Sequence, residues 1–399
     1  MHRVSVWGIN PLCRNNTQGG FFIFIQKQNP SAVQPFLRSP FCLSPLLLPN
    51  AKETITFTPS LNVTYLLMAS NLPIHAALIG AGPLGINIYK YAQQRKDIVI
   101  THVIDIEPTL AGKDMGNHSG LGETGILISD RLANHDRVEV AILATVSDLP
   151  RIGPQLLALI DAGLPVVSTC EELFYPWESS REWSETIDRA AKDKGVAILG
   201  TGVNPGFLMD ALPSMLTGVC NKVDRIEVRR YQDAQFRRIP FQKKIGAGLS
   251  YEEFEKRKNE GSLRHVGLSE SMHFIARQLG WTLERTEDRI EPVIADRNFQ
   301  SEALTIISGQ VAGIRQTGRG WVNGEEKIKL SFQASVGEPD SYDEIEIFGT
   351  PNIRSRIMNG VNGDMATCSI ILNACRSLLK AAPGLRTMAD IPMISSVGS

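Results

Sequence analysis

A chain of 399 residues with 43% hydrophobic and 21% charged residues is long enough for two domains with real cores, and its composition is that of an ordinary globular protein. A formal net charge of -1 argues against nucleic acid as the main partner, because phosphate binding calls for a basic excess. No apolar run is long enough to span a bilayer, the six cysteines show no C-x-x-C spacing, and the seven histidines form no ligand-spaced cluster with cysteine. The expectation is a cytoplasmic protein with reduced thiols, no metal and a small-molecule partner.

Residues 1–67 differ from the rest. Residues 1–52 contain no Asp or Glu, Pro and Ser are frequent, and no period persists. The preferred reading is an over-long gene model, with Met68 as the start of the compact protein. The alternative is an acid-poor organellar transit peptide. Either way the segment is expected to add no function.

From Ile74 an apolar run leads into Gly80-Ala81-Gly82-Pro83-Leu84-Gly85, and a helical pattern follows through Ile88, Tyr89 and Ala92. This is the opening of a dinucleotide-binding unit. Gly80 permits the tight turn, Gly82 lets backbone approach a pyrophosphate, and Gly85 lets the helix pack on the strand. The helix start, with Pro83 and Leu84, offers its N–H groups to the phosphates. The next apolar run, Ile98–Ile104, ends in Asp105, about twenty residues past Gly85, where an acid meets the adenosine ribose. Ile106 follows, and the first base after it is Lys113, which favours NAD slightly over NADP.

Val138–Thr145 reads as a strand buried on both faces, with Ala144 and Thr145 at its end beside the nicotinamide ribose. A helix through Leu156 and Ile160 and a strand at 165–169 lead to Glu171-Glu172. One of these acids reaches the cleft, or both are helix N-terminal acids favoured by the dipole. A helix around Ile187, closed at Gly195, precedes a strand ending in Gly200-Thr201-Gly202-Val203-Asn204-Pro205-Gly206. A helix is expected from about Gly206. Asn204 then either holds a nicotinamide or substrate amide at the domain junction or caps that helix.

Residues 222–350 suit an α+β domain. It has an alternating strand at Val223–Arg230, helices at Tyr251–Lys258 and Ser269–Leu279, and a hairpin turning at Asn323-Gly324. The basic residues Arg237-Arg238 and Lys243-Lys244 read as a solvated loop. Met365–Leu379 is an amphipathic helix expected to return to the first domain, with Cys368 and Cys375 on its apolar stripe. His265, in a loop, is a candidate general base, or it caps or packs locally. Glu270 is a candidate for a substrate ammonium, against a solvated helix acid. Arg315 is a candidate for a substrate carboxylate, against a surface strand arginine.

Gly80–Gly85, the Asp105 loop with Lys113-Asp114-Met115-Gly116, and Gly200–Asp210 resemble the dihydrodipicolinate-reductase-like dehydrogenases. Lys244–Leu249, His265–Ser271, Glu291–Ala295, Gly309–Gln316 and Gly363–Thr367 resemble one branch, the 2,4-diaminopentanoate dehydrogenases. Asn362 departs from that branch, where a His often precedes Gly-Asp. The His-His pair and Pro-Ser-Gly-Thr turn of authentic dihydrodipicolinate reductases are missing. The resemblance spans about Leu72 to Pro392. It implies a Rossmann-type doubly wound parallel sheet over residues 68–206, an α+β substrate and oligomerisation domain over 207–360, and a C-terminal helix and tail over 361–399. It also implies an NAD- or NADP-dependent enzyme, a homodimer or homotetramer, that deaminates a small amino acid such as 2,4-diaminopentanoate. His265 or Glu171 would be the base, and Glu270 and Arg315 would bind the substrate. The rival readings are a cyclic-imine reductase and a non-catalytic nucleotide sensor.

Overall fold

A computed structural model describes residues 72–396, apart from 134, 236, 238, 264, 265 and 301–303. The expectations for residues 1–67 and for His265 fall outside the described residues.

Strand β1 (Ile74–Ile79) runs into the glycine turn and helix α1 (Pro83–Ala92), and β2 (Ile98–Ile104) follows. A short helix α2 (Met115–Ser119) precedes β3 (Ile128–Ser129) and β4 (Val140–Leu143). Then come α3 (Leu149–Asp161), β5 (Val166–Ser168), α4 (Arg181–Lys194) and β6 (Ala197–Gly200). These strands pair in parallel in the order β3-β2-β1-β4-β5-β6. That is the doubly wound order, whose connectivity reverses between β1 and β4 and opens a crevice at their carboxyl ends. β4 is buried along its whole length, as expected of a parallel strand covered on both faces.

The second half begins with helix α5 (Ala211–Leu216) and β7 (Lys222–Asp233). Helices α6 (Ile239–Lys244), α7 (Tyr251–Asn259) and α8 (Leu268–Gln278) follow. The strands are β8 (Arg285–Ile294), β9 (Phe299–Gln300), β10 (Thr305–Ile306), β11 (Val311–Val322), β12 (Glu325–Ser335), β13 (Tyr342–Thr350) and β14 (Ile353–Met358). A six-stranded sheet has the order β14-β13-β7-β12-β11-β8, with β7 and β12 parallel and the other neighbours antiparallel. Asn323 and Gly324 both take positive φ in the β11–β12 turn, as that hairpin type demands. One face of this sheet packs on α8: Gly318 lies so near Leu268 and Met272 that a Cβ would come within 3.1 Å of both.

Two elements close the molecule. Helix α9 (Gly363–Leu378) buries Cys368, Ile371, Leu372, Cys375 and Leu378 in one core with Ile74, Leu78, Ile88 and Val140 of the first sheet. β15 (Gly384–Arg386) then pairs in parallel with β6 as the seventh strand. Burial pushes the Cys170 and Cys375 thiols up to about 12, so neither carries a thiolate at neutral pH. Among the described residues, no helix is long and apolar enough to cross a membrane.

Two expectations need correction here. The helix expected from Gly206 starts instead at Ala211. Gly206 has φ +135, outside helical space, and a Cβ on it would fall 2.2 Å from the Gly202 carbonyl oxygen. The loop expected around Lys243-Lys244 is the end of helix α6.

Candidate active site

The glycine turn comes first. Gly80 has φ +104, and a Cβ there would stand 2.4 Å from the carbonyl oxygen of Ala144. A Cβ on Gly85 would stand 1.9 Å from the Gly80 oxygen. Both positions therefore exclude any side chain, the first for the turn and the second for helix–strand packing. At Gly82 an added Cβ meets no atom within 4 Å. The open side of the turn is where a pyrophosphate would approach the start of α1, with Pro83 in its first turn.

The Ala81 peptide is held at both ends. Its N–H donates to Asp105 Oδ2 at 2.7 Å, and its carbonyl accepts from His118 Nε2 at 3.0 Å. A carbonyl only accepts, so the His118 tautomer carries its proton on Nε2. Asp105 Oδ1 accepts from the Glu107 N–H at 2.9 Å. The acid thus sits at the end of β2 beside the turn, as a ribose-binding carboxylate must. His118 was not singled out from sequence, since nothing local marks it as a partner of the turn. Ala144 ends beside Gly80, and Thr145 is exposed with its hydroxyl donating to Gln155 Oε1 at 3.0 Å.

From the turn a cleft of about 240 Å³ runs between the two sheets. Leu84, Thr169, Glu171 and Asn204 line it from the parallel sheet. Arg230, Gln232 and Phe332 come from the mixed sheet, and Arg237 and Lys244 from the segment around α6. Asp364 and Thr367 of α9 complete the lining. Both polar atoms of the Asn204 carboxamide are buried there with no partner among the described residues, and so is Glu171 Oε2. Buried polar atoms of native proteins are nearly always satisfied, so unpartnered ones facing a cleft mark where a ligand's polar groups belong. Glu171 Oε1 lies 3.7 Å from Lys244 Nζ.

The floor of the cleft is a fixed polar chain. Arg230, buried, gives Nη1 to Asp343 Oδ1 at 2.7 Å and Nη2 to the Val361 carbonyl at 2.8 Å. Burial draws Arg230 down to about 10, which leaves it charged at neutral pH. Gln232 Nε2 shares the Val361 carbonyl, and Gln232 Oε1 accepts from Arg237 Nη1 at 3.0 Å. Arg237 also grips Asp364 with Nε and Nη2, at 2.9 and 3.2 Å, and lies over the Phe241 ring at 4.1 Å. Asn362 caps α9, accepting from the N–H groups of Asp364 and Met365.

The remaining candidates lie elsewhere. Glu270 is buried in the first turn of α8 and lines a different depression with Glu172, Gly267 and Asp288. Arg315 is exposed on the face of β11 opposite the buried Ile314 and Gln316, its Nε donating to Gln333 Oε1 at 2.6 Å. The structure therefore does not bring Glu270 or Arg315 to Asn204 and Glu171. It brings Arg237 and Lys244 there, contrary to their reading as a solvated loop. Among the described residues no group of three or more His, Cys, Asp or Glu stands where it could hold a metal ion.

Residues 207–399 match the family described as 2,4-diaminopentanoate dehydrogenase C-terminal domain. The chain is similar to the 2,4-diaminopentanoate dehydrogenase of Acetoanaerobium sticklandii, with 34% identity over 262 residues covering 64% of this chain and 74% of that one. It is 21% identical over 358 residues to an amine dehydrogenase of Streptomyces virginiae, covering 82% of this chain and 98% of that protein. In fold it is similar to the amine dehydrogenase structure from Mycobacterium smegmatis, with a TM-score of 0.72, 23% identity, and coverage of 81% of this chain and 97% of that one. With a relative at this level of identity aligned over most of its length, a doubly wound sheet and a glycine turn feeding a cleft between the two sheets, the chain belongs to the 2,4-diaminopentanoate dehydrogenase family, oxidoreductases that act on amines with a nicotinamide cofactor.

Proposed function

We propose that this protein catalyses the NAD-dependent oxidative deamination of a small diamino acid such as 2,4-diaminopentanoate. The observation that carries the reading is the pair of unsatisfied groups in one cleft: the Asn204 carboxamide and Glu171 Oε2. Asn204 offers a donor and an acceptor together, which matches another primary amide, the nicotinamide's. Gly80, Gly82 and the start of α1 would hold the pyrophosphate, with Ala144 and Thr145 beside the nicotinamide ribose. Asp105 would take the adenosine ribose hydroxyls and repel a 2′-phosphate, which favours NAD over NADP.

A bound nicotinamide supplies the acceptor for the hydride that leaves the carbon bearing the amine. Everything else falls to the chain. An ammonium cannot release hydride from its carbon, so Glu171 takes the ammonium proton first. Once Glu171 has passed that proton to solvent, it would accept a proton from the water that adds to the iminium carbon and return it to the departing nitrogen, and the products are a ketone and ammonium. The walls of the cleft hold the reacting carbon in place, the proximity that free collision lacks.

The test is NADH formation, followed at 340 nm, with 2,4-diaminopentanoate and NAD or NADP, together with an ammonia assay. Equal amounts of NADH and ammonia are expected, with NAD preferred. Reduction of dihydrodipicolinate without ammonia release from any diamino acid would replace this reading with an imine reductase. Cofactor binding without either reaction would replace it with a sensor.

A further inference from the structure

Among the described residues three cations line the cleft, and two of them are committed. Arg230 is fixed by Asp343 and the Val361 carbonyl, and Arg237 by Asp364, Gln232 and the Phe241 ring. Withdrawing either guanidinium toward a ligand would strand a carboxylate, which is costly in a partly buried site.

Lys244 is different. Its ammonium lies 3.7 Å from Glu171 Oε1, close enough for attraction but beyond hydrogen-bond reach. Among the described residues it makes no hydrogen bond, so its three donors stay available. The helix behind it is firmly set: Gln242, buried, donates its Nε2 hydrogens to the carbonyls of Gln235 and Arg237 at 3.1 and 2.9 Å. The four-carbon stem of the lysine can therefore move while its backbone stays put. Glu171 follows β5 of the parallel sheet, whereas Lys244 ends a helix that belongs with the mixed sheet. The pair spans the cleft, with spare donors on one side and on the other a buried acceptor, Glu171 Oε2, that has no partner among the described residues.

We propose that Lys244 binds the carboxylate of the substrate and makes the site select amines that also carry a carboxylate over simple amines. This inference rests on the amine-dehydrogenase reading above. A zwitterion complements the pair, carboxylate toward Lys244 and ammonium toward Glu171. Its carboxylate draws Lys244 away from Glu171, so that Glu171 is left to take the ammonium proton. A simple amine has nothing to offer Lys244, which then continues to compete for Glu171.

The test compares wild type, Lys244→Met and Lys244→Arg with 2,4-diaminopentanoate and with 2-aminopentane. Steady-state turnover is measured, together with calorimetric titration of each ligand into NADH-saturated protein. In Lys244→Met the preference for the diamino acid over the simple amine, as a ratio of Kd values, should fall by at least about 10-fold, the scale of a lost hydrogen bond to a charged group. KM for the diamino acid should rise in step, and Lys244→Arg should restore most of the preference. An unchanged ratio, with NADH binding intact, would overturn the proposal. Weakened diamino acid binding in Lys244→Met without turnover in wild type would sink the dehydrogenase reading and leave the anchor standing. No binding of the diamino acid to wild type would overturn both.

Discussion

Glu171 and Glu172 are adjacent and chemically alike, yet their surroundings give them different work. Glu172 turns back to accept the Leu149 N–H at 2.8 Å, serving the start of α3 as a helix-terminal acid. Glu171 faces the cleft with one oxygen buried and without a partner among the described residues. Changing Glu171 to Gln keeps its shape and removes its capacity to take a proton. In Glu171→Gln, kcat with the diamino acid should fall by about 10²-fold or more, the usual scale of general acid–base help, with NADH affinity measured by fluorescence within a few-fold of wild type. A kcat within 3-fold of wild type, on the same general acid–base scale of roughly 10², would take Glu171 out of the chemistry.

Residues whose requirement is local were legible in the sequence. A glycine turn needs particular backbone angles and close approaches, and Gly80, Gly82 and Gly85 meet those needs where their spacing puts them. Arg315, a candidate for a substrate carboxylate, instead lies with Arg319 on the exposed face of β11, alternating with buried Ile314. Buried Gln316 and the glycines at 318 and 320 weaken that alternation. Lys244 and Arg237 could not be placed from sequence, because their position depends on how the mixed sheet docks against the parallel one. Nothing within a few residues of either encodes that contact.

At the scale of an element, the stretch from Gly200 to Asp210 departs most from its sequence reading. A strand, a glycine turn and an apolar run suggest a helix starting at Gly206, but the chain makes a tight irregular turn and defers the helix to Ala211. The Asn204–Pro205 peptide is cis. Asp210 organises the turn: its fully buried carboxylate accepts the Gly206 and Ala211 N–H groups at 2.9 and 2.6 Å and the Ser271 hydroxyl at 2.8 Å. That ties the Asn204 turn to α8, where Pro205 packs against Gly267. Burial pushes Asp210 up to about 6, against the pull of its three hydrogen bonds. The folded state therefore binds this proton more tightly than the unfolded chain does. The stabilisation is fully present below the ordinary carboxylate range and is lost as pH rises through about 6. Between pH 7 and pH 5 wild type should gain about 1 kcal/mol relative to Asp210→Asn, measured by urea unfolding at each pH. A difference that stays flat, or that moves in favour of the variant on acidification, would show that Asp210 does not titrate in this range.

At the scale of the whole molecule, the order of elements in the chain differs from their grouping in space. The parallel sheet begins at Ile74 but is completed only by α9 and β15, after the entire mixed sheet has intervened. Helix α9 carries Arg376 and Asn373 back to the start of β2, where Asn373 Oδ1 accepts from Arg95 at 2.7 Å and Arg376 donates to the Asp97 carbonyl. Its apolar stripe buries Ile371, Leu372 and Leu378, all 2% exposed or less, in the core where α9 meets α1, β5 and β6. Each such side chain is worth about 1.5–3 kcal/mol when buried. Three of them alone are comparable to the roughly 5–15 kcal/mol net stability of a typical domain. Removing β15 would also open the edge of β6, whose backbone groups now pair with residues 384–386. A fragment ending at Asn221, although it holds the whole glycine turn and six of the seven parallel strands, should therefore lack a cooperative thermal transition and bind NADH at least about 10-fold more weakly than the full chain, the factor that 1.4 kcal/mol represents. Circular dichroism melting and NADH fluorescence titration on both proteins decide it. A cooperative melt near that of the full chain, with NADH affinity retained, would mean that the first six strands form a complete nucleotide-binding unit and that the returning helix only covers it.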